Sequence, residues 1–146
     1  MSTTAEGRAV RDADASEAAA LQRRCAYWQR ILRLQDWDIE VVIARPDDIV
    51  GVGLNEVASS LRQCTIRILG EDDARRRCVT LPNAAVMADT EITLVHELVH
   101  LHLHDFDGAP EEGSPAHRAL ERAVDALARA LVALDRESTC RDAGPA

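Results

Sequence analysis

The stretch Ile92-Thr93-Leu94-Val95-His96-Glu97-Leu98-Val99-His100-Leu101-His102-Leu103 carries H-E-x-x-H at residues 96–100 inside an otherwise apolar run. On an α-helix, residues four apart lie about 40° from each other around the axis, so both imidazoles project from one face toward one point. Zinc accepts neutral imidazole nitrogens at about 2.0–2.1 Å, and two helical histidines leave room for a third protein ligand and a water. Glu97, one residue past the first histidine, then stands where a general base for that water is required. The bland alternative is a pair of polar residues on a helix surface. It conflicts with the neighbours, because Leu94, Val95, Leu98, Val99, Leu101 and Leu103 demand that part of this helix be buried. Buried histidine and glutamate are unfavourable unless something pairs with them, and a metal ion is such a partner.

Asp89-Thr90-Glu91 supplies capping and acidic residues ahead of the run, so the motif helix is predicted to start near Asp89 and to end before Gly108 and Pro110. Ser114-Pro115 marks a second helix start, serine as N-cap and proline in the first turn. Leu120, Val124, Leu127, Leu131 and Leu134 carry that helix at 3–4 spacing to about Arg136. Upstream, Ala20, Leu21, Arg24, Tyr27, Trp28, Ile31 and Leu32 follow helical spacing from a start at Ser16-Glu17. Between the helices, residues 37–43 alternate and are β-branched, and residues 52–59 and 62–69 read as two more strands that pair as a hairpin. Gly70-Glu71-Asp72-Asp73 reads as a turn, and residues 78–81 as a short edge strand ahead of Pro82. The predicted class is α+β: an N-terminal helix, a small mostly antiparallel sheet, the H-E-x-x-H helix and a C-terminal helix. Residues 14–136 form one domain in this reading, and the polar, aperiodic residues 1–13 and 137–146 are disordered tails.

A chain of 146 residues suffices for one core. Hydrophobic residues at 47% and charged residues at 29% are a globular balance, while aromatics at 3% leave the core to aliphatic side chains. The net charge of -8 opposes a nucleic-acid partner, whose phosphates require lysine and arginine. Arg75-Arg76-Arg77 therefore reads as a solvated turn. With no apolar leader and no run near the roughly 18 residues of a membrane span, the expectation is a soluble, cytoplasmic protein without membrane partners. Cys25, Cys64, Cys78 and Cys140 form no C-x-x-C pair, so they are read as free thiols, not as a metal knuckle or redox motif.

The C-terminal helix returns past the motif helix as a hairpin, and a third ligand is sought there. Glu121 leads, with Asp125 one turn on and on the same face, a candidate to accept an imidazole N–H and orient a ligand. Glu121 has a bland alternative too, as one arm of an exposed ion pair among Arg118, Arg122 and Arg129. His96, Glu97, His100, Glu121 and Asp125 together resemble the gluzincin branch of the zincin metallopeptidases, in which H-E-x-x-H is completed by a downstream Glu-x-x-x-Asp. The order of elements is similar to a minimal zincin core, as in small intracellular IrrE-like and SprT-like proteins. The resemblance implies a zinc ion on His96, His100 and Glu121. His117 is the rival third ligand, because SprT-like proteins use a downstream histidine, although Arg118 stands here where a glycine usually follows it. The metzincin pattern is excluded by Leu103 and Phe106.

His104, eight residues after His96, has turned about 80° around the helix and suits the rim of the site; His102 points away. The chemistry implied is peptide-bond hydrolysis by a zinc-activated water with Glu97 as general base, on a peptide or protein substrate. Such a substrate would pair with a free sheet edge, offered by residues 78–81 or 62–69. No oxyanion stabiliser is evident beyond His104 and His117. The competing class is a zinc-stabilised regulatory or binding domain without turnover, favoured by the small chain and opposed by Glu97, which a purely structural zinc site has no use for.

Overall fold

The apolar flanks of the H-E-x-x-H segment find partners on three sides, and those partners define the architecture. The computed structural model describes residues 5–80, 88–105 and 110–142. In chain order these form α1 (Ala5–Ile31), β1 (Asp38–Ala44), β2 (Gly53–Ala58), β3 (Gln63–Leu69), α2 (Glu71–Cys78), α3 (Thr90–Leu103) and α4 (Pro115–Asp142). The class is α+β, as the hydrophobic periodicities predict. α3 is sandwiched between the sheet, α1 and α4. Its Leu94, Val95 and Leu98 are fully buried with Trp28 of α1, Ile66 and Ile68 of β3, and Val124, Ala128 and Val132 of α4. No helix among the described residues is long and apolar enough to cross a membrane.

Local signals hold where they are strongest. Asp89 caps α3, its carboxylate accepting the N–H groups of Glu91 and Ile92 at 3.1 Å. Ser114 caps α4, its hydroxyl accepting the His117 N–H at 3.1 Å, with Pro115 the first helical residue. Both long outer helices exceed their expected limits. α1 begins at Ala5 instead of Ser16, and α4 runs to Asp142 instead of about Arg136, so the segments read as disordered tails are helical over 5–13 and 137–142. Their extra turns lack an apolar stripe and escape a periodicity search. The end of α4 is held by local contacts instead, Thr139 Oγ1 to the Asp135 carbonyl at 2.9 Å and Arg141 to Glu137 at 3.7 Å.

The sheet is mixed, in the order β1-β3-β2, where a mostly antiparallel one is expected from sequence. β2 and β3 form the anticipated antiparallel hairpin through a 3₁₀ turn at Ser59–Leu61, but β1 pairs parallel to β3, Ile39 opposite Cys64 and Val41 opposite Ile66. β3 is therefore central and residues 62–69 offer no free edge. Residues 78–81 are not an edge strand either: Cys78 ends α2, Val79 and Thr80 form a turn, and Leu81 lies outside the described residues. The remaining edge beside α3 is β2, which pairs only with β3 among the described residues.

α2 replaces the turn expected at 70–73. Glu71, Asp72 and Asp73 in its first turn and Arg75, Arg76 and Arg77 in its last complement the helix dipole, while Ala74 and Cys78 bury one face. The arginines thus lie on a helix and not in a turn, although Arg75 and Arg76 are exposed to solvent as expected. Arg77 reaches over the β1–β2 loop and donates to the carbonyls of Ile49 at 2.7 Å, Gly51 at 2.5 Å and Pro46.

At the start of α3, a set of ion pairs ties three helices together. Arg136 donates to Asp89 at 2.8 Å and to Glu91 at 3.0 Å, while Arg24 bridges Glu91 and Asp135. Trp28 Nε1 donates to Glu91 at 2.9 Å. Burial alone would raise the Asp89 and Glu91 carboxyls. The guanidinium of Arg136 and the helix N–H groups at Asp89, and Trp28, Arg24 and Arg136 at Glu91, outweigh it and hold both below their ordinary values. A carboxylate depressed in the folded state adds stability above its unfolded pKa near 4, and that contribution is lost as pH falls through the folded value. Arg136→Ala is accordingly expected to be less stable than the parent by about 1 kcal/mol at neutral pH, and by much less at about pH 3, in urea unfolding. An equal deficit at both pH values would deny the ion pairs any role.

Candidate metal centre

Burial of Leu94, Val95 and Leu98 sets the rotation of α3, and His96 and His100 emerge where they meet Glu121 of α4. On α4, Val124, Ala128 and Val132 form the buried stripe, and Glu121, three residues before Val124, continues that stripe to the level of the two histidines. Three donor atoms converge as a result. His96 Nε2 and His100 Nε2 are 3.1 Å apart, Glu121 Oε2 is 3.4 Å from the first and Glu121 Oε1 is 3.3 Å from the second. Ligand atoms at 2.0–2.1 Å from a tetrahedral zinc are separated by about 3.3–3.4 Å, so the spacing and the donor set both fit that ion. This is the one such group of histidine, cysteine and acidic side chains among the described residues. Burial and the proximity of His100 push His96 below the usual imidazole value, against the opposing pull of Glu121 and Asp125. A neutral ring is the form that binds a metal.

Glu97 lines the same cavity from the side nearer the sheet. It is 7% exposed, and burial, reinforced by the negative charge of Glu121, pushes its carboxyl up to about 7. Asn55 of β2 donates from Nδ2 to Glu97 Oε2 at 3.1 Å. Gly53 of the same strand lies so close that a Cβ there would sit 2.7 Å from Glu97 Oε1 and 2.6 Å from Thr93 Cγ2. Neither Gly53 nor Asn55 is singled out by the motif. The available signal is the strand itself, since a glycine within a strand marks a close backbone approach and Asn55 shares its face by the two-residue period.

A cavity of about 570 Å³ joins these groups; besides the three candidate ligands and Glu97 it is lined by Leu54, Asn55, Leu103 and Leu120. Its size meets the objection that so small a chain has no room for a cleft. Asp125 lines it as well, but its carboxylate pairs with Arg129 at 2.7 Å and hydrogen-bonds neither imidazole among the described residues. His104 lies on the rim, its ring edge-to-face with Trp37 at 6.4 Å. His117 is beside Glu121, 3.7 Å from Oε1, yet outside the converging trio. Its Nδ1 accepts the Gly113 N–H at 3.3 Å, which leaves the proton of a neutral ring on Nε2, the nitrogen nearer the site. His102 is exposed, and Tyr27 donates to Asp135 in the helix clamp. Cys25 and Cys64, raised by burial to about 12 and about 11, remain protonated thiols.

No model of a known protein family, no curated protein and no solved structure matches this chain. The functional reading therefore rests on the arrangement of side chains alone.

Proposed function

We propose that the protein is a zinc-dependent metallopeptidase of the gluzincin kind, with His96, His100 and Glu121 as metal ligands and Glu97 as general base. The observation that carries this reading is the convergence of those three donors within 4.8 Å at a cavity that also holds a buried carboxylate with no ligand role. Bound zinc supplies Lewis acidity toward a carbonyl oxygen and acidifies a water. The protein's own groups do the rest. Glu97 takes a proton from the attacking water at its carboxylate as that water's oxygen bonds to the scissile carbon, and passes it to the amine nitrogen as the C–N bond breaks. β2 borders the cavity and offers backbone groups with which an extended peptide can pair, a grip that tolerates sequence variation. The free cysteines suit a reducing compartment, and we assign the protein to the cytoplasm, with a peptide or unfolded protein as substrate and neither nucleic acid nor membrane as partner.

Metal analysis combined with a mass-spectrometric peptide-library digest tests the reading. One zinc per chain, and cleavage abolished by a chelator and restored by zinc, is the expected result. Folded protein that takes up no zinc after supplementation overturns it. Protein that binds zinc and cuts nothing across the library belongs instead to the zinc-stabilised binding class.

A further inference from the structure

We infer that Asn55 is a positioning residue for Glu97: its side-chain amide holds one oxygen of the carboxylate against β2 and so fixes where the other can act. The inference rests on the metallopeptidase reading for its kinetic consequence and on geometry alone for its contact. A glutamate side chain has three rotatable bonds, and α3 constrains only the first of them well. The rest of the constraint comes from the sheet. Asn55 Nδ2 donates to Glu97 Oε2 at 3.1 Å and lies 3.4 Å from the Glu97 main-chain carbonyl, so one amide group holds both the side chain and the helix backbone that carries it. On the opposite oxygen, the bare Cα of Gly53 leaves only enough space for Oε1. The carboxylate is thus tethered on one side and walled on the other by residues two apart on a single strand face.

No other side-chain hydrogen bond to Glu97 is present among the described residues, although this carboxylate is almost wholly buried. A hydrogen bond to an ionised oxygen is among the stronger neutral-donor contacts, and an unpartnered alternative would be penalised by burial. β2 is also the strand that borders the cavity, so the residue that fixes the base belongs to the element proposed to hold the peptide. Distance between base and substrate is then set within one strand, and an error of about 1 Å in such a distance is enough to slow a reaction by about a hundredfold.

Two variants separate the donor from its shape. Asn55→Ala removes the amide, and Asn55→Asp keeps the shape while replacing the donor with an acceptor. Both are expected to lower kcat by roughly 10- to 100-fold with KM within about threefold of the parent and zinc content unchanged. A packing role predicts the opposite for Asn55→Asp, which would then retain activity. A second readout needs neither metal nor turnover: in zinc-free, ¹⁵N-labelled protein the Asn55 side-chain amide resonances are expected to move on Glu97→Gln and to stay in place on His117→Ala. Resonances that ignore Glu97→Gln, or Asn55→Asp with parental kcat, overturn the inference. If the parent cleaves nothing, the metallopeptidase reading fails while the resonance test still decides the contact.

Discussion

Glu97→Gln is expected to keep stoichiometric zinc and to lose peptide cleavage by about two to four orders of magnitude, the range a general base contributes. The substitution is nearly isosteric, and the amide oxygen of glutamine can still accept from Asn55, so the geometry around β2 is preserved. What disappears is an atom able to take a proton near neutral pH. Neither His96 nor His100 is altered, and Glu97 is not among the converging donors, so metal uptake has no reason to change. Stability has reason to rise slightly, because burial opposes the charged form of Glu97 and Gln removes that opposition. Zinc analysis, thermal unfolding and a library digest on the same preparation give a clear pattern: metal retained, fold retained, hydrolysis gone. Equal cleavage by both forms would remove Glu97 from the mechanism. Loss of zinc together with cleavage would mean that Glu97 supports the ligands and not the chemistry.

The parts of this design that are readable from sequence are those written in local terms. Asp89 and Ser114-Pro115 mark helix starts because a cap acts on N–H groups two or three residues away. Glu121 is reachable because a helical hairpin leaves few acidic positions opposite the motif. The parallel pairing of β1 with β3 is not local: it depends on which strand takes the central place once α1 and α3 cover the sheet, and a hairpin-forming pair of strands gives no hint that a third will insert beside it in parallel. α2 escapes the sequence reading: three acids followed by three arginines complement a helix dipole, but Gly70 and the short span favour the turn expected on the same residues. Asp125 shows the limit of spacing arguments. Its distance along the helix from Glu121 equals its distance to Arg129, and the bond it makes is to Arg129. Asn55 and Gly53 lie 42 and 44 residues before the glutamate they constrain, and only the folded strand brings them there.

Glu121→Ala is expected to weaken zinc binding by at least about a hundredfold, more than the 10- to 100-fold that loss of a supporting partner produces, because it removes one of three ligands. His117→Ala should change the affinity by only a few-fold, since its Nε2 carries the proton of the neutral ring and stands outside the trio. Thermal or urea unfolding turns this into a stability difference. At free zinc a hundred times the parent dissociation constant, binding stabilises the folded state by about 2.7 kcal/mol. A hundredfold weaker variant at the same concentration retains about 0.4 kcal/mol of that. Without zinc the two proteins should unfold alike, because the Glu121 side chain is 38% exposed and its removal opens no core. The comparison therefore isolates the ligand role from any packing role: a deficit present without zinc would mark Glu121 as structural, while a deficit confined to the zinc-loaded state marks it as a ligand. If His117→Ala instead abolishes the zinc-dependent gain and Glu121→Ala keeps it, the third ligand is the histidine, its Gly113 contact must break on metal binding, and the centre is of the SprT-like kind.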